Sequence, residues 1–462
     1  MTPVEMILLG LIILIGVVIA VDFLFFRPYG KGGEVMVRYA AVLFSLWVVS
    51  TAVFGSRFLV ARIPGVFDLN LERICFLLMM VVLVKDWLKG DGRQQRTAII
   101  EVFALIFAFI CIVSMIQHGF KSSSPQFTSP WNAFINGYLF PMLGFVYAKC
   151  YLYDTRDYTL FFYVLFYFGV YLSIMSFFEY FGLRQFVFPG YISDPNIWLH
   201  LDRARGPFLN AALNGFALSV GYISGIHLLS KKTGVAGLFH VALLSLFFPA
   251  IFCTQTRSSY LIFLIMNICL MAFYHAGFPK WKVLALPLIM VLAFAVLNLP
   301  RLASSERREG GVMQVEEVDL RYALIRRSIM MFFDNPIFGV GLAQFVPKSY
   351  SEYRGRAPVP ESSEEQIQHN HLMGMMVELG IVGVIVYVTI VLLFLSRVRD
   401  LAIAARMTKD KAVEWNTVLV IFLGGLSFLV LGLFLEPSYS LFANSVFFAF
   451  IGLSDGIYNH IG

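Results

Sequence analysis

Apolar runs of about twenty residues recur along almost the whole of this 462-residue chain. Each is long enough to cross the roughly 30 Å hydrocarbon core of a bilayer as a helix. No water is present there, so every backbone N–H and C=O must find its partner within the protein, and a helix meets that demand alone. The runs are continuous and do not alternate at every second residue, which argues against a barrel. A composition that is 59% hydrophobic and only 14% charged lies outside the range of soluble globular domains. The expected fold class is therefore all-α, a polytopic membrane protein of about 12 to 13 transmembrane helices.

The expected spans are 6–26, 36–55, 69–88, 98–116, 133–152, 158–181, 211–230, 237–254, 259–276, 283–299, 372–395, 417–435 and 438–456. They divide the chain into about ten N-terminal spans within 1–299, a long polar region at 300–371, and about three C-terminal spans within 372–462. The first run has no preceding Lys or Arg and no small-residue cleavage site, so it reads as a retained span and not a removable signal.

The net charge of +6 is spread through short loops, and every second loop is basic. That pattern is topogenic and places the basic loops in the cytoplasm. It forms no basic stripe, so no nucleic-acid partner is expected. Loops 117–132 and 182–210, the turn around Arg257 and the long 300–371 segment then share the external face. The five cysteines, Cys75, Cys111, Cys150, Cys253 and Cys269, lie in or beside apolar runs without CxxC spacing and read as small core residues.

The external segment is uneven. SSERREGGVMQVEEV is charged, whereas DLRYALIRRSIMMFFDNP has helical apolar spacing and stops before Pro336. An amphipathic helix is expected there, lying on the membrane surface or capping a cavity. FGVGLAQF turns back, and KSYSEYRGRAPVPESSEEQ is a polar loop able to order on substrate. HNHLMGMMVELGIVG follows, where polar sequence becomes a span.

His369 and His371 stand at that junction, and a titratable group at a membrane rim is a functional candidate. A metal site is not expected, because residues two apart on a helix face different ways and no third ligand cluster accompanies them. Gly380 and Gly383 would share a helix face and allow close approach of a neighbour. Arg257, at a span end in CTQTRSSYL, is placed either to bind a phosphate or to snorkel to headgroups. Arg321 precedes the amphipathic helix; Arg326 and Arg327 suit a solvated face better. In LDRARGPFLNAALNGFAL, Arg203 and Arg205 end an external loop, and Asn210 and Asn214 either line a polar cavity or bond between helices. Ionisable residues within spans, Asp22, Glu101, Glu179, His240 and Glu378, would mark a lipid-linked glycan transporter if they formed a relay, but they do not cluster in sequence.

Taken together, HNHLMGMMVELGIVG, RYALIRRSIMMFFDNPIFGVGLAQF, TQTRSSYL and RGPFLNAALNGFAL resemble the O-antigen ligase and O-antigen polymerase superfamily of bacterial envelope glycosyltransferases. The resemblance covers about Arg203 to Gly383. It departs from the family in lacking a tryptophan shortly after Arg321 and in having about one span more than usual, as an added N-terminal helix would give. What it implies is a GT-C-like enzyme of the bacterial inner membrane with its site facing the periplasm. His369 would be the catalytic base, and Arg257 and Arg321 would grip the diphosphate of an undecaprenyl-diphosphate-linked glycan donor. Arg205, Asn210, Asn214 and His371 are further candidates for substrate contact. The acceptor would be a lipid-linked repeat unit for a polymerase, which is slightly favoured, or lipid A core for a ligase. No metal or other cofactor is expected; membrane lipids and a chain-length regulator are the further expected partners.

Overall fold

The computed structural model describes residues 33–54, 59–63, 67–89, 99–121, 128–197, 201–229, 234–275, 289, 296, 315–356, 367–407 and 414–461. The expected span 6–26 with Asp22, and all but residues 289 and 296 of the expected span 283–299, lie outside the described residues, as do most of SSERREGGVMQVEEV and the stretch 357–366. The other expected spans all coincide with helices.

In chain order these are α1 (Gly33–Val53), α2 (Leu71–Lys89), α3 (Ile99–His118), α4 (Pro130–Phe134), α5 (Phe140–Tyr151), α6 (Thr155–Tyr180), α7 (Ala211–Leu229), α8 (Gly234–Ser245), α9 (Phe247–Cys253) and α10 (Arg257–Phe273). After the polar arm, with α11 (Val315–Asp334) and α12 (Phe345–Ser351), come α13 (His371–Met407), α14 (Trp415–Gly432) and α15 (Leu441–Ile461). Seven stretches among the described residues are long and apolar enough to cross a membrane, with shorter apolar helices at Tyr39–Val53 and Arg257–Phe273. The chain is an all-α polytopic membrane protein.

Four local features depart from the simple span pattern. An antiparallel hairpin, β1 (Leu59–Ile63) with β2 (Phe67–Asn70), joins α1 to α2. One expected span is broken by a π turn at Ile135–Leu139 between α4 and α5, and another is split into α8 and α9. Helix α13 continues well past residue 395, so part of the basic loop expected there is helical.

Two polar clusters stand out against a core rich in packed aromatics such as Phe107, Phe166, Phe247 and Phe447. At one end, Lys149 of α5 is buried with its Nζ 2.8 Å from Glu101 and 3.0 Å from Asp455, and Arg397 Nε lies 2.9 Å from the other Asp455 oxygen. Two cations and two carboxylates from α3, α5, α13 and α15 thus cancel locally, the condition on which charges persist inside a membrane. At the opposite end meet the segments expected on one face. Leu342 N–H donates to Ser114 Oγ, Ala204 N–H to Cys253 O, and Asn370 Nδ2 to Leu433 O.

The polar arm enters this end by pairing with a break in α13. Gly380 has φ 67° and ψ −169°, a conformation open essentially to glycine alone. The break frees backbone groups on either side, and the turn after α11 supplies their partners. Val340 N–H donates to Val377 O at 2.8 Å and Gly341 N–H to Glu378 O at 3.0 Å. In return Ile381 N–H donates to Pro336 O at 3.0 Å and Val382 N–H to Ile337 O at 3.3 Å. The approach is close enough that a Cβ on Gly380 would sit 2.2 Å from Ile337 O, and one on Gly339 2.4 Å from Glu378 C. The expectation that Gly380 and Gly383 jointly seat a neighbouring helix is therefore corrected. The partner at Gly380 is a turn, and a Cβ on Gly383 would meet Leu379 of its own helix.

Gly380→Ala is expected to destabilise the protein by about 2 kcal/mol or more, through backbone strain and the displaced turn. Gly355→Ala, where an added Cβ meets open space, should be near neutral. Thermal midpoints in detergent check this; equal midpoints for the two variants would contradict the account of the junction.

Candidate active site

His369 occupies the bend just before α13, and its setting follows from the residue after it. Asn370 Oδ1 accepts Met373 N–H at 3.0 Å while Asn370 O accepts Gly374 N–H at 2.9 Å. That is the geometry of an N-cap, which asparagine fills well. His369 is left outside the helix and half-buried, and His371 becomes its first residue, pointing into the bundle.

The two histidines consequently meet different chemistry. Burial, and then the charge of Arg321, lower the pKa of His369 to about 4. Both effects disfavour imidazolium, so the ring is neutral at pH 7. His371 is buried, with Nδ1 2.9 Å from Glu436 Oε1 and 3.1 Å from Ser438 Oγ. A carboxylate facing Nδ1 places the ring proton there. Tyr138 OH donates to Ser438 Oγ at 2.8 Å, and the Ser438 hydroxyl donates to Glu436. Tyr387 and Phe428 meet the imidazole edge-on with centroids 4.9 and 5.9 Å away.

Arg321 sits near the start of α11 and is exposed on it. Its pKa is lowered, first by partial loss of water around the guanidinium and then by Arg257. The field of Arg321 therefore bears on His369 and is coupled to that of Arg257, so three segments far apart in sequence converge. Arg257 is the exposed first residue of α10, whose Thr256 N-cap supplies no side-chain hydrogen bond. The opening N–H groups of that helix add their own positive potential to the guanidinium.

Arg203 supports this region from beneath. It is buried, its Nη1 donates to Thr256 Oγ1 at 3.4 Å, and loss of water lowers its pKa. The arrangement is an anion-attracting surface beside a neutral imidazole, suited to holding a phosphate group while accepting a proton close by. Among the described residues no group of three or more His, Cys, Asp and Glu is placed to hold a metal ion.

Other sequence candidates have internal partners. Arg205 is fully buried and donates to the carbonyls of Ile192 and Ile197, with Nε 3.0 Å from Ile192 O. Its own N–H and that of Gly206 donate to Glu179 at 3.0 Å each. It clamps the 192–206 loop. Asn210 caps α7 through Ala212 and Leu213 N–H, and Asn214 Nδ2 donates to Ser176 Oγ and Ala204 O. Arg327, read from sequence as a solvated residue, is buried with Nη1 2.6 Å from Ser349 Oγ, whereas Arg326 is exposed. Among the described residues, the intramembrane ionisable side chains have separate partners: Glu101 binds Lys149, His240 Nε2 lies 2.8 Å from Gly225 O, and Glu378 accepts Tyr439 OH and Ala343 N–H.

Sequence reasoning named Arg203 without giving it a role and passed over Glu436 and Ser438. A signal for Glu436 was available: a lone carboxylate in LEPSYS, the short polar break between two apolar runs.

Residues 241–388 match the family model described as O-antigen ligase. Over that stretch the chain is similar to the O-antigen ligase family. The matched stretch runs from α8 into α13 and encloses Arg257, Arg321, His369, His371, Gly380 and Gly383; Arg203, Arg205 and Glu436 lie outside it. No curated protein matches the chain. This likeness agrees with a membrane glycan transferase, and Arg257, Arg321 and His369 all lie within the matched stretch.

Histidine NMR in detergent, with the resonance assigned through His369→Gln, should give a midpoint near pH 4 for His369, against about 6.5 for an unperturbed imidazole. Replacing Arg321 by Ala removes a cation and must raise the midpoint. A midpoint unmoved by that substitution would separate the two residues.

Proposed function

We propose that this protein transfers a glycan from an undecaprenyl-diphosphate-linked donor to a sugar hydroxyl at the periplasmic face of the bacterial inner membrane. The observation that carries the reading is that Arg321 lies within electrostatic reach of both His369 and Arg257. A neutral base and two guanidinium groups are what this chemistry asks of a protein, because the donor brings its own leaving group. The topogenic distribution of Lys and Arg supports the periplasmic placement.

In the proposed reaction the acceptor hydroxyl attacks the anomeric carbon of the donor. A new C–O bond forms as the bond from that carbon to the diphosphate oxygen breaks. The hydroxyl proton passes to His369, and the electron pair leaves with undecaprenyl diphosphate. Arg257 and Arg321, with the α10 N-terminus, stabilise the negative charge developing on that leaving group. One displacement inverts the anomeric configuration. Arginine supplies here the charge that a divalent cation supplies elsewhere, so the reaction proceeds without metal. We favour a lipid-linked repeat unit as acceptor, making the enzyme a polymerase. Two external basic residues are engaged internally, Arg356 with Asp334 at 2.6 Å and Arg327 with Ser349, which disperses the positive charge that a phosphorylated core would seek. A chain-length regulator would bind the same face.

His369→Ala should lower transfer by about 10² to 10⁴-fold while the protein still elutes as a folded species. Arg257→Ala and Arg321→Ala should weaken donor use, with Lys rescuing poorly because it is a point charge. Activity should survive EDTA. Given lipid-linked repeat units alone, the purified protein should build ladders; product only after addition of lipid A core would make it a ligase. Full activity in His369→Ala would sink the assignment of the base.

A further inference from the structure

Helix α11 carries two unlike faces. Leu324, Arg327, Ser328 and Met331 are buried, and Leu324 and Met331 pack with Val340, Phe345, Tyr353 and Val377 in a small core separate from that of the bundle. On another face Tyr322, Ile325, Ile329 and Phe333 recur once per turn, and all are exposed, Tyr322 and Phe333 at 72% each. Ile337 and Phe338, in the turn that follows, are exposed as well. A continuous apolar stripe left in water is unfavourable in proportion to its area and marks a contact surface.

What covers it follows from where it leads. Pro336 O and Ile337 O accept from Ile381 and Val382 N–H, which seats the end of the stripe directly on α13. There it adjoins Ile381 and Ile385, exposed on α13, with Leu392 further along the same helix. Helix α13 crosses the membrane, so its outward apolar residues face lipid. On the other side of the turn, where Leu342 bonds Ser114, α3 likewise exposes Ile112 and Ile116. The stripe thus prolongs a surface that is already in contact with acyl chains. Arg321 and Arg326, both exposed beside it, suit the phosphates at the edge of that layer.

We infer that α11 lies in the bilayer interface at the His369 end of the bundle, its Tyr322, Ile325, Ile329 and Phe333 stripe inserted among the lipid chains. The inference holds whether or not the chain transfers glycans. It settles the choice left open by the amphipathic pattern, since the inner face packs on protein and the outer face on lipid. It also sets Arg321, the residue before Tyr322, at the height where the phosphate groups of membrane lipids reside.

The test places nitroxide labels at Ile325→Cys, Ile329→Cys and Phe333→Cys in the full chain reconstituted in phosphatidylcholine and phosphatidylglycerol vesicles. Arg354→Cys, exposed and outside the stripe, is the water-facing reference. Cys75, Cys111 and Cys253 are buried, and labelling of the unsubstituted chain corrects for the remaining two. Power-saturation EPR compares collisions with oxygen, which concentrates in lipid, and with a water-soluble nickel chelate. The oxygen-to-nickel ratio at 325, 329 and 333 is expected to exceed that at 354 several-fold. A ratio equal to the reference overturns the inference. So does exclusion of both reagents together with dipolar broadening, which would mean that a second copy covers the stripe. Each label sits on an exposed side chain, and elution identical to that of the unsubstituted chain verifies folding.

Discussion

The junction between the turn after α11 and the break in α13 is the contact on which the site depends. Four backbone hydrogen bonds close it, from Val340 and Gly341 in one direction and from Ile381 and Val382 in the other. At membrane depth an unpaired N–H or C=O costs several kcal/mol, so irregular backbone persists only where protein satisfies it. Each partner here supplies what the other lacks. A broken helix and a re-entering turn, neither tolerable alone, form one hydrogen-bonded unit.

From that unit the rest of the site follows by rigid geometry. The turn fixes the end of α11, and the small core around Met331 and Val377 fixes its rotation. Arg321 is thereby held within electrostatic reach of His369, and Arg257 arrives from the N-terminus of α10. Beneath, Glu436 and Ser438, the latter bonded by Tyr138, secure His371 at the first residue of α13. At the far end the neutral group of Lys149, Glu101, Asp455 and Arg397 ties four helices together. Two polar clusters joined by a packed aromatic core tie the helices together, and such a frame holds His369 and the arginines at a set separation.

His369 and His371 illustrate how a single cap separates functions. They are identical side chains two residues apart, and Asn370 between them determines that one stays outside the helix near arginine and the other turns inward to a carboxylate. Burial and a neighbouring cation keep the first neutral, while a hydrogen-bonded acid orients the second.

Much of this was legible in the sequence. Run length and continuity dictated membrane helices because hydrocarbon leaves the backbone no other choice, and the alternation of basic loops grouped the segments that do meet at one end. The spacing in DLRYALIRRSIMMFFDNP specified α11, and Arg257, Arg321 and His369 stood out as polar residues at span ends. Tertiary structure alone decided how these were used. Gly380 reads as a helix-packing residue, yet it breaks the helix, because its backbone conformation answers to a turn more than thirty residues earlier in the chain. Arg205 and Arg327 look as free as Arg257 and Arg321 in a string of letters; the first two are buried among backbone carbonyls and a serine hydroxyl, and the other two are exposed. Periodicity and hydropathy are local properties and can be read along the chain, whereas the partner of a buried polar group is a long-range contact that exists only once the helices have packed.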